Sequence, residues 1–490
     1  MNWSTEQEDV INTILRLVAG ECVYIDGEAG TGKTTCIQEA CDRLGNVLRC
    51  APSAIASTNI NGRTLHKTVQ LNGKFYFDRR PIESRRKERY AEFGKSAGKQ
   101  NAQELCKSRE EILRFCNAIW IDESPMARCD LPDELDIRLR HIMKKPHTPF
   151  GGKRIIFSGD LGQLQAVVGT ELRDGQDPEV DKTDEELLLE NGYEAPFGFQ
   201  QSRIYKEAKV KTIHLTKLFR QTDPIEGAIL SRLRTASQTP KDLEHINRNV
   251  VVNPPAGATV LSYHRKTAKA MNDKALNELT PPKLTFVAKR TGTYAQKWPQ
   301  GGKWKIQGPF LENLRLKIGC RVIIKTNGIC NIDGCKIPYG NGDAGTLFAV
   351  DKQQRLLIER TDGQVIRLAP KKTGDVTDKK VMEPFEEEDE EGNMVTGERP
   401  VLKQITKGQF IQYPITLGYA QTGHSSQGLT LNRVHVALPP RKPRSPNWIY
   451  VVFSRVKSLK NLTLNRPLTM EDVWVIPGLK KSVIQQHELL

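Results

Sequence analysis

The feature that most constrains this chain is an ungapped match to G-x-x-x-x-G-K-[ST] at Gly27-Glu28-Ala29-Gly30-Thr31-Gly32-Lys33-Thr34. It follows the apolar run CVYIDG and leads into a helical pattern, the strand–loop–helix context in which such a loop binds phosphate. Its glycines let backbone N–H groups wrap phosphate oxygens, and the N-terminus of the following helix adds positive potential there. Lys33 is placed to reach the β- and γ-phosphates of a nucleoside triphosphate, and the Thr34 hydroxyl to bind Mg²⁺.

The same theme recurs through the N-terminal half. NVLRCAPS ends at Ser53, AIWIDES at Ser124 and RIIFSGD at Asp160, each a short apolar run before a small or acidic loop and a helical pattern. Short β-rich runs alternating with helices indicate a parallel α/β sheet. Ligands of such sheets sit at the carboxyl ends of the strands, where each polar signature falls. The theme returns in ITLGYAQTGHSSQG, RVHVAL and WIYVVFSR, so the expected fold is two similar α/β domains with other material inserted between their parts.

Two stretches break the pattern. Residues 71–114 turn basic and helical. Residues 276–409 are β-rich, with turn signals at Asn327-Gly328, Asp333-Gly334, Asn341-Gly342 and Asp362-Gly363. Within them Glu383 and the acidic run 386–391 are expected to form a solvated loop.

Bulk properties narrow the class of partner. At 490 residues the chain is too long for one compact domain. An excess of Lys and Arg, 73 against 58 acidic residues, favours a polyanion. No apolar run approaches the ~18 residues of a membrane span, and MNWSTEQEDV lacks the pattern of a signal or transit peptide. Nucleic acid is therefore the expected partner rather than membrane, in a cytoplasmic or nucleoid-type setting. The ten cysteines form no C-x-x-C pair and are expected to be buried, reduced thiols.

Asp122-Glu123, directly after AIWI, supplies what the phosphate loop lacks. One carboxylate holds Mg²⁺, usually through water, and a second orients and deprotonates an attacking water. Asp122 is the expected metal partner and Glu123 the general base; the competing reading of such a pair is a helix N-cap. Ser4-Thr5-Glu6-Gln7 reads as a capping box opening a helix that runs to Val18. Gln7 either bonds back to the Ser4 backbone or contacts an adenine edge.

Later signatures complete a series: Gly159-Asp160-Leu161-Gly162-Gln163-Leu164, then His214-Leu215-Thr216-Lys217-Leu218-Phe219-Arg220-Gln221, then Thr422-Gly423-His424-Ser425-Ser426-Gln427-Gly428-Leu429-Thr430 and Tyr450-Val451-Val452-Phe453-Ser454-Arg455. In order and spacing these resemble the motifs of superfamily 1 helicases, in the PIF/RecD/Dda branch and in particular its PIF-type pattern. The resemblance runs from Gln7 to about Leu464. It implies two RecA-like domains, with ATP between them and a single strand lying across both. The implied boundaries are 1–205 for the first domain, with a wedge or pin insertion at about 71–114, and 206–275 with 410–490 for the second. Residues 276–409 match an inserted SH3-like β-barrel, its acidic loop at about 371–400.

The resemblance also implies residue roles. Gln7, Gly27, Gly30, Thr31, Gly32, Lys33, Thr34, Thr35 and Gly428 bind nucleotide. Asp160 and Gln163 couple nucleotide state to the strand. Arg220 and Arg455 reach the γ-phosphate across the cleft, supplying a cation where charge develops on the transferred phosphoryl group; the plain alternative for each is a surface ion pair. Pro52, Ser53, Asn59, Thr64, His66, Thr422 and His424 contact strand phosphates, which position a strand without reading its sequence. The Ser and Thr residues among them serve equally well as helix caps. Phe75 and Tyr76, set among basic residues, suit base stacking, against the alternative of a solvated charged helix. The pattern departs from the family at Ser425, where lysine is common, and at Gln165 and Ala166, where prolines are usual.

The expected function is an Mg²⁺- and ATP-dependent 5′→3′ DNA helicase acting on single-stranded and forked DNA as a stand-alone monomer. An RNA translocase of the same superfamily and an ATP-gated clamp subunit are the alternatives.

Overall fold

A computed structural model of the chain describes residues 3–69, 107–166, 168, 182–194, 198–219, 223–296, 310–332, 334–360, 362–388, 394–443 and 445–475. Helix α1 (Thr5–Arg16) opens with the expected capping box: Gln7 N–H donates to Ser4 Oγ (3.4 Å) and Ser4 N–H to Gln7 Oε1 (3.1 Å). Six strands follow: β1 (Cys22–Gly27), β2 (Val47–Ala51), β3 (Arg63–Thr64), β4 (Ala118–Ile121), β5 (Arg154–Gly159) and β6 (Lys211–Leu215). They form one sheet in the order β3-β2-β4-β5-β1-β6, every neighbouring pair parallel.

Alternation explains why this sheet is buried on both sides. Cys22 and Tyr24 enter one core with Ile119, Ile121 and Phe157, while Val23 and Ile25 enter another with Trp120 and Ile156. Residues one apart on a strand face opposite ways, so an unbroken apolar run fills two cores. The sheet takes in β6, past the expected boundary at 205, because Leu215 buries its side chain in the core that holds Val23 and Ile25.

The inserted part is β-rich, as expected. After β7 (Thr259–Ser262), which belongs to the second α/β unit, its strands are β8 (Leu284–Val287), β9 (Lys289–Gly292), β10 (Asn313–Leu316), β11 (Arg321–Ile324), β12 (Gly328–Ile332), β13 (Cys335–Tyr339), β14 (Ala344–Val350), β15 (Leu356–Arg360), β16 (Val365–Leu368), β17 (Lys371–Glu388), β18 (Met394–Gln412) and β19 (Ile415–Leu417). An antiparallel sheet of order β16-β15-β14-β11-β19 packs around Val322, Leu347 and Ile358. Among the described residues β16 and β19 remain as edges, so these strands form an open sheet with hairpins, and no closed barrel is seen where the SH3-like β-barrel is expected. Gly334, Gly342 and Gly363 turn the chain with φ of 84°, 106° and 81°, whereas Gly328 starts β12 instead of making a turn.

The second α/β unit adds β20 (Ala420–Thr422), β21 (Val434–Ala437) and β22 (Leu462–Leu464) to β7, in the parallel order β20-β7-β21-β22. One expected repeat of the strand theme differs: the apolar run WIYVVF is a helix, Trp448–Phe453, with all six residues buried. A segment buried on every side carries no period that separates helix from strand.

The expected acidic loop at 371–400 is also corrected. Strands β17 and β18 pair from Lys371↔Gln412 to Glu388↔Met394 as one long antiparallel ribbon. Basic residues across the ribbon offset the acidic strand: Lys403 pairs with Glu383, and the Arg399 guanidinium lies 5.7 Å from the Phe385 ring centre. The ribbon docks on the first α/β unit. Buried Asp378 accepts from Arg109 Nη1 (3.0 Å) and lies 3.8 Å from Arg63 Nη1. Leu402 packs against the first unit's core, and its N–H donates to Asn46 Oδ1 (3.0 Å).

Eight cysteines among the described residues are buried free thiols; Cys335 is exposed, against expectation. No helix among the described residues is long and apolar enough to cross a membrane. Asp378→Ala should lower stability by ~3 kcal/mol, because it takes the carboxylate from a buried ion pair. Glu383→Ala, at a partly exposed pair, should change it by less than ~1 kcal/mol. Urea unfolding midpoints compare the two; equal, small shifts would show that the ribbon is not held at Asp378.

Candidate nucleotide cleft

Strand β1 ends at Gly27 and helix α2 (Lys33–Leu44) begins six residues later, so the intervening loop closes tightly. Gly30 and Gly32 take φ of 100° and 78°, the left-handed region that glycine tolerates. A Cβ on Gly32 would also stand 2.5 Å from Gln7 Nε2. Gln7 thus packs on the loop as well as capping α1: its Nε2 donates to Thr31 O (3.2 Å). Lys33 Nζ donates to Gly27 O (2.6 Å) and Glu28 O (3.0 Å) across the loop. Gly30, Gly32, Lys33, Thr34 and Thr35 line a cavity of about 420 Å³.

The acidic pair lines the same cavity from the end of β4. Trp120 Nε1 donates to Ser158 Oγ (2.7 Å), whose hydroxyl donates to Asp122 Oδ1 (2.7 Å), fixing that carboxylate from the neighbouring strand. Glu123 occupies the N-cap position of the short turn Ser124–Met126 with φ 51°, yet makes no side-chain capping bond. The competing N-cap reading therefore fails for it. Burial raises both carboxyls; for Asp122 the Ser158 hydrogen bond opposes the rise. Glu123 is pushed up to about 7, by burial first and the adjacent Asp122 charge second, with Lys33 opposing. Asp122 and the Thr34 hydroxyl are hard oxygen donors facing one cavity, a set that fits Mg²⁺ with waters and phosphate oxygens as its other ligands. Among the described residues no group of three or more His, Cys, Asp or Glu could hold a metal ion.

The turn after β5 is gripped from the second α/β unit. Arg234, which ends helix Pro224–Arg234, donates from Nε to Asp160 Oδ1 (2.8 Å) and from Nη2 to Asp26 Oδ2 (2.7 Å). Tyr450 Oη donates to Asp160 Oδ2 (2.8 Å) and accepts from the Ala29 N–H (3.3 Å). Asn447 Nδ2 donates to Gly162 O (2.7 Å), and Gln427 Nε2 to Gln163 Oε1 (2.9 Å). Gly162 leaves room for this: a Cβ there would lie 2.1 Å from Arg234 Cγ. Burial would raise the Asp26 carboxyl, but the Arg234 guanidinium and His214, whose Nδ1 is 2.9 Å away, outweigh it and hold it well below the usual range. Sequence reasoning missed Asp26, Arg234, Asn447 and Tyr450. The available signal was Asp26 itself, a charge inside an apolar strand that must find a cation.

Gly428 and Arg455 form the opposite wall of the cavity. Arg455 is 1% exposed and donates from Nε to Val451 O (2.7 Å) and from Nη2 to Ser454 Oγ (2.6 Å). It thus joins Lys33, Asp122, Glu123 and Gln163 around one cleft. Arg220 lies outside the described residues. Its neighbour Phe219 lines the cavity and donates its N–H to Gly30 O (3.0 Å).

The residues expected along the strand are less concentrated. Ser53 Oγ accepts from Ala56 N–H (3.1 Å) and Thr64 Oγ1 from Lys67 N–H (3.3 Å), so both act as helix caps. Asn59, the last residue of helix Ala54–Asn59, lines the nucleotide cavity. Pro52 and His66 are half-buried. Burial, then the nearby Arg128 charge, lowers the His66 imidazole. Burial and then Arg265 do the same for His424. Ser425 closes its loop on Thr422: its N–H donates to Thr422 Oγ1 (3.2 Å) and its Oγ to Thr422 O (3.0 Å). Gln165, where proline is usual, braces the Asp160 turn by donating to Leu161 O (2.9 Å) and Gln163 O (3.3 Å). Phe75 and Tyr76 lie outside the described residues.

Residues 2–180 match the family model described as PIF1-like helicase. Human ATP-dependent DNA helicase PIF1 is 25% identical over 473 residues, which cover 94% of this chain and 60% of that protein. The chain thus spans less than two thirds of its human relative. ATP-dependent DNA helicase Pif1 of Bdellovibrio bacteriovorus is 25% identical over 467 residues, covering 94% of this chain and 87% of that protein. In fold, Bacteroides sp Pif1 in complex with ADP-AlF4 matches 100% of this chain and 98% of its own with a TM-score of 0.78 at 21% identity. Bacteroides Pif1 bound to ssDNA matches 100% of this chain and 97% of its own with a TM-score of 0.60 at 22% identity. Phosphate loop, acidic pair, Asp160–Gln163 turn and trailing arginine, in this order and on this fold, make the chain similar to PIF1-like helicases.

Proposed function

We propose that the protein is an ATP-dependent DNA helicase that travels 5′→3′ on single-stranded DNA and opens the duplex ahead of it. The observation that carries this reading is the make-up of the cleft. Lys33, Thr34, Asp122 and Glu123 come from one α/β unit and Gly428 and Arg455 from the other, so a nucleotide bound there touches both. Hydrolysis then changes how the two units hold each other, which is what a motor needs.

In this reading the two parallel sheets are RecA-like motor domains. Lys33 binds the β- and γ-phosphates. Glu123 takes a proton from the water that attacks the γ-phosphorus as the bond to the bridging oxygen breaks. Arg455 meets the charge that develops on the transferred group. Thr34 and Asp122 would hold Mg²⁺, which supplies charge neutralisation at the β- and γ-oxygens when bound. Thr422, His424 and His66 contact the strand. The curated relatives named as DNA helicases support DNA as the track, and the PIF/RecD/Dda resemblance supports the polarity.

Lys33→Ala should lose at least ~10²–10³-fold in ATP turnover while the protein stays folded. Glu123→Gln should bind a fluorescent ATP analogue and not cleave ATP; lost binding would mean a structural role for Glu123. The base must be ionised, so kcat/KM for ATP should rise with pH through about 7 and level off above it. A flat profile from about pH 6 to about pH 8 would remove Glu123 as the base. Duplexes with a 5′ single-stranded DNA tail should be unwound and those with a 3′ tail left intact. Preference for the 3′ tail would reverse the polarity, and preference for RNA tails would change the track.

A further inference from the structure

The phenol of Tyr450 sits where three parts of the cleft meet. It is 1% exposed, in the apolar cluster that also holds Val451, Phe453 and Leu164. Water does not reach it, so its two hydrogen bonds carry their full weight. It donates to Asp160 Oδ2 and accepts from the Ala29 N–H of the phosphate loop. Burial raises the phenol well above its ordinary range, so it stays a donor at any physiological pH.

Its place in the chain matters as much as its bonds. Tyr450 lies on helix Trp448–Phe453, and Arg455 follows two residues after that helix. Arg455 Nε is tied back to Val451 O, so the guanidinium moves with the helix. Whatever holds Tyr450 against Ala29 therefore sets where Arg455 stands over the phosphate loop. The same Asp160–Gln163 turn is held by Asn447 on one side and by Gln427 on the other. Gln427 belongs to the loop that begins at Thr422, which we have placed along the strand. A contiguous path thus runs from that loop through Gln427 and Gln163 to Asp160, Tyr450 and Ala29.

We propose that Tyr450 is a positioning residue that couples strand binding to hydrolysis, its one hydroxyl keying the Arg455 helix to the phosphate loop and to the Asp160 turn. This rests on the helicase reading above. The strand steadies the Thr422–Gln427 loop, that loop holds the turn through Gln163, and the turn keeps the phenol on Ala29. Hydrolysis then proceeds fast only when the strand is in place. Asn447 supports the same turn from the residue just before the helix, with φ 62°.

Tyr450→Phe removes the hydroxyl and keeps the ring, and Asn447→Gly removes the amide while tolerating the left-handed backbone. Each is compared with wild type in three assays: ATP turnover with and without single-stranded DNA, KM for ATP, and ATP consumed per base pair opened on a tailed duplex. For Tyr450→Phe, kcat on the strand should fall about tenfold, KM should change less than about twofold, and ATP spent per base pair should rise. Asn447→Gly should move the same quantities in the same direction by less, and carries the test if Tyr450→Phe does not fold. A purely structural role would lower turnover and unwinding together and leave ATP per base pair unchanged, which overturns the proposal. Stimulated wild type with both variants matching it overturns it as well. Wild-type turnover that ignores added strand overturns the helicase reading, and this coupling with it.

Discussion

One buried guanidinium holds the two α/β units in register. Arg234 divides its fork between Asp26, near the end of β1, and Asp160, just past the end of β5, and all three side chains are almost without solvent. Those strands are neighbours in the first sheet, and their carboxyl ends flank the phosphate loop. A planar fork with fixed donor directions can serve two carboxylates at once, which an ammonium cannot do with the same geometry. Burying such a group is costly, and its value lies less in net stability than in the single arrangement that satisfies it. The Leu161 N–H on Asp26 and the Gly162 N–H on Asp160 complete that arrangement. The phosphate loop, the Asp160 turn and the second unit's helices are consequently set by one point.

Around that point the cleft combines charges of both signs. Asp122 and Glu123 are buried beside each other, a placement that favours the protonated form of at least one. Lys33 and Arg455 bring positive charge from opposite walls. Burial raises both carboxyls, the Asp122 charge adds to the rise of Glu123 to about 7, and the approach of phosphates and a cation alters both sides of the balance. Rigid strand ends keep these groups apart by fixed distances, so the sheet decides which of them a nucleotide meets together.

The β17–β18 ribbon extends the same logic of long-range placement. It leaves an antiparallel sheet inserted in the second unit and returns to the first, where Asp378 meets Arg109 and Leu402 joins a core. Its acidic composition suggests a solvated loop only while the strand opposite is ignored. Lys403 and Arg399 supply the cross-strand partners that make an extended ribbon stable.

Much of the fold and cleft was legible in the residues themselves, because it is local. The phosphate loop needs glycines at fixed spacing, the strands ending at Gly27 and Ile121 are short β-rich apolar runs, and the α1 cap is complete within four residues. Those features, with the ordered motifs, also carry the resemblance to PIF1-like helicases. Tertiary structure alone decided what pairs across the chain. Asp160 meets Arg234 74 residues away, Asp26 meets it across 208, and Ala29 meets Tyr450 across 421. It also made WIYVVF a helix, since burial on every side erased the period, and turned Ser53 and Thr64 into caps, since a hydroxyl bonds whichever backbone N–H the fold brings to it. Sequence specifies the groups and their spacing along the chain; a charge in a low-dielectric interior finds its partner only where packing puts one.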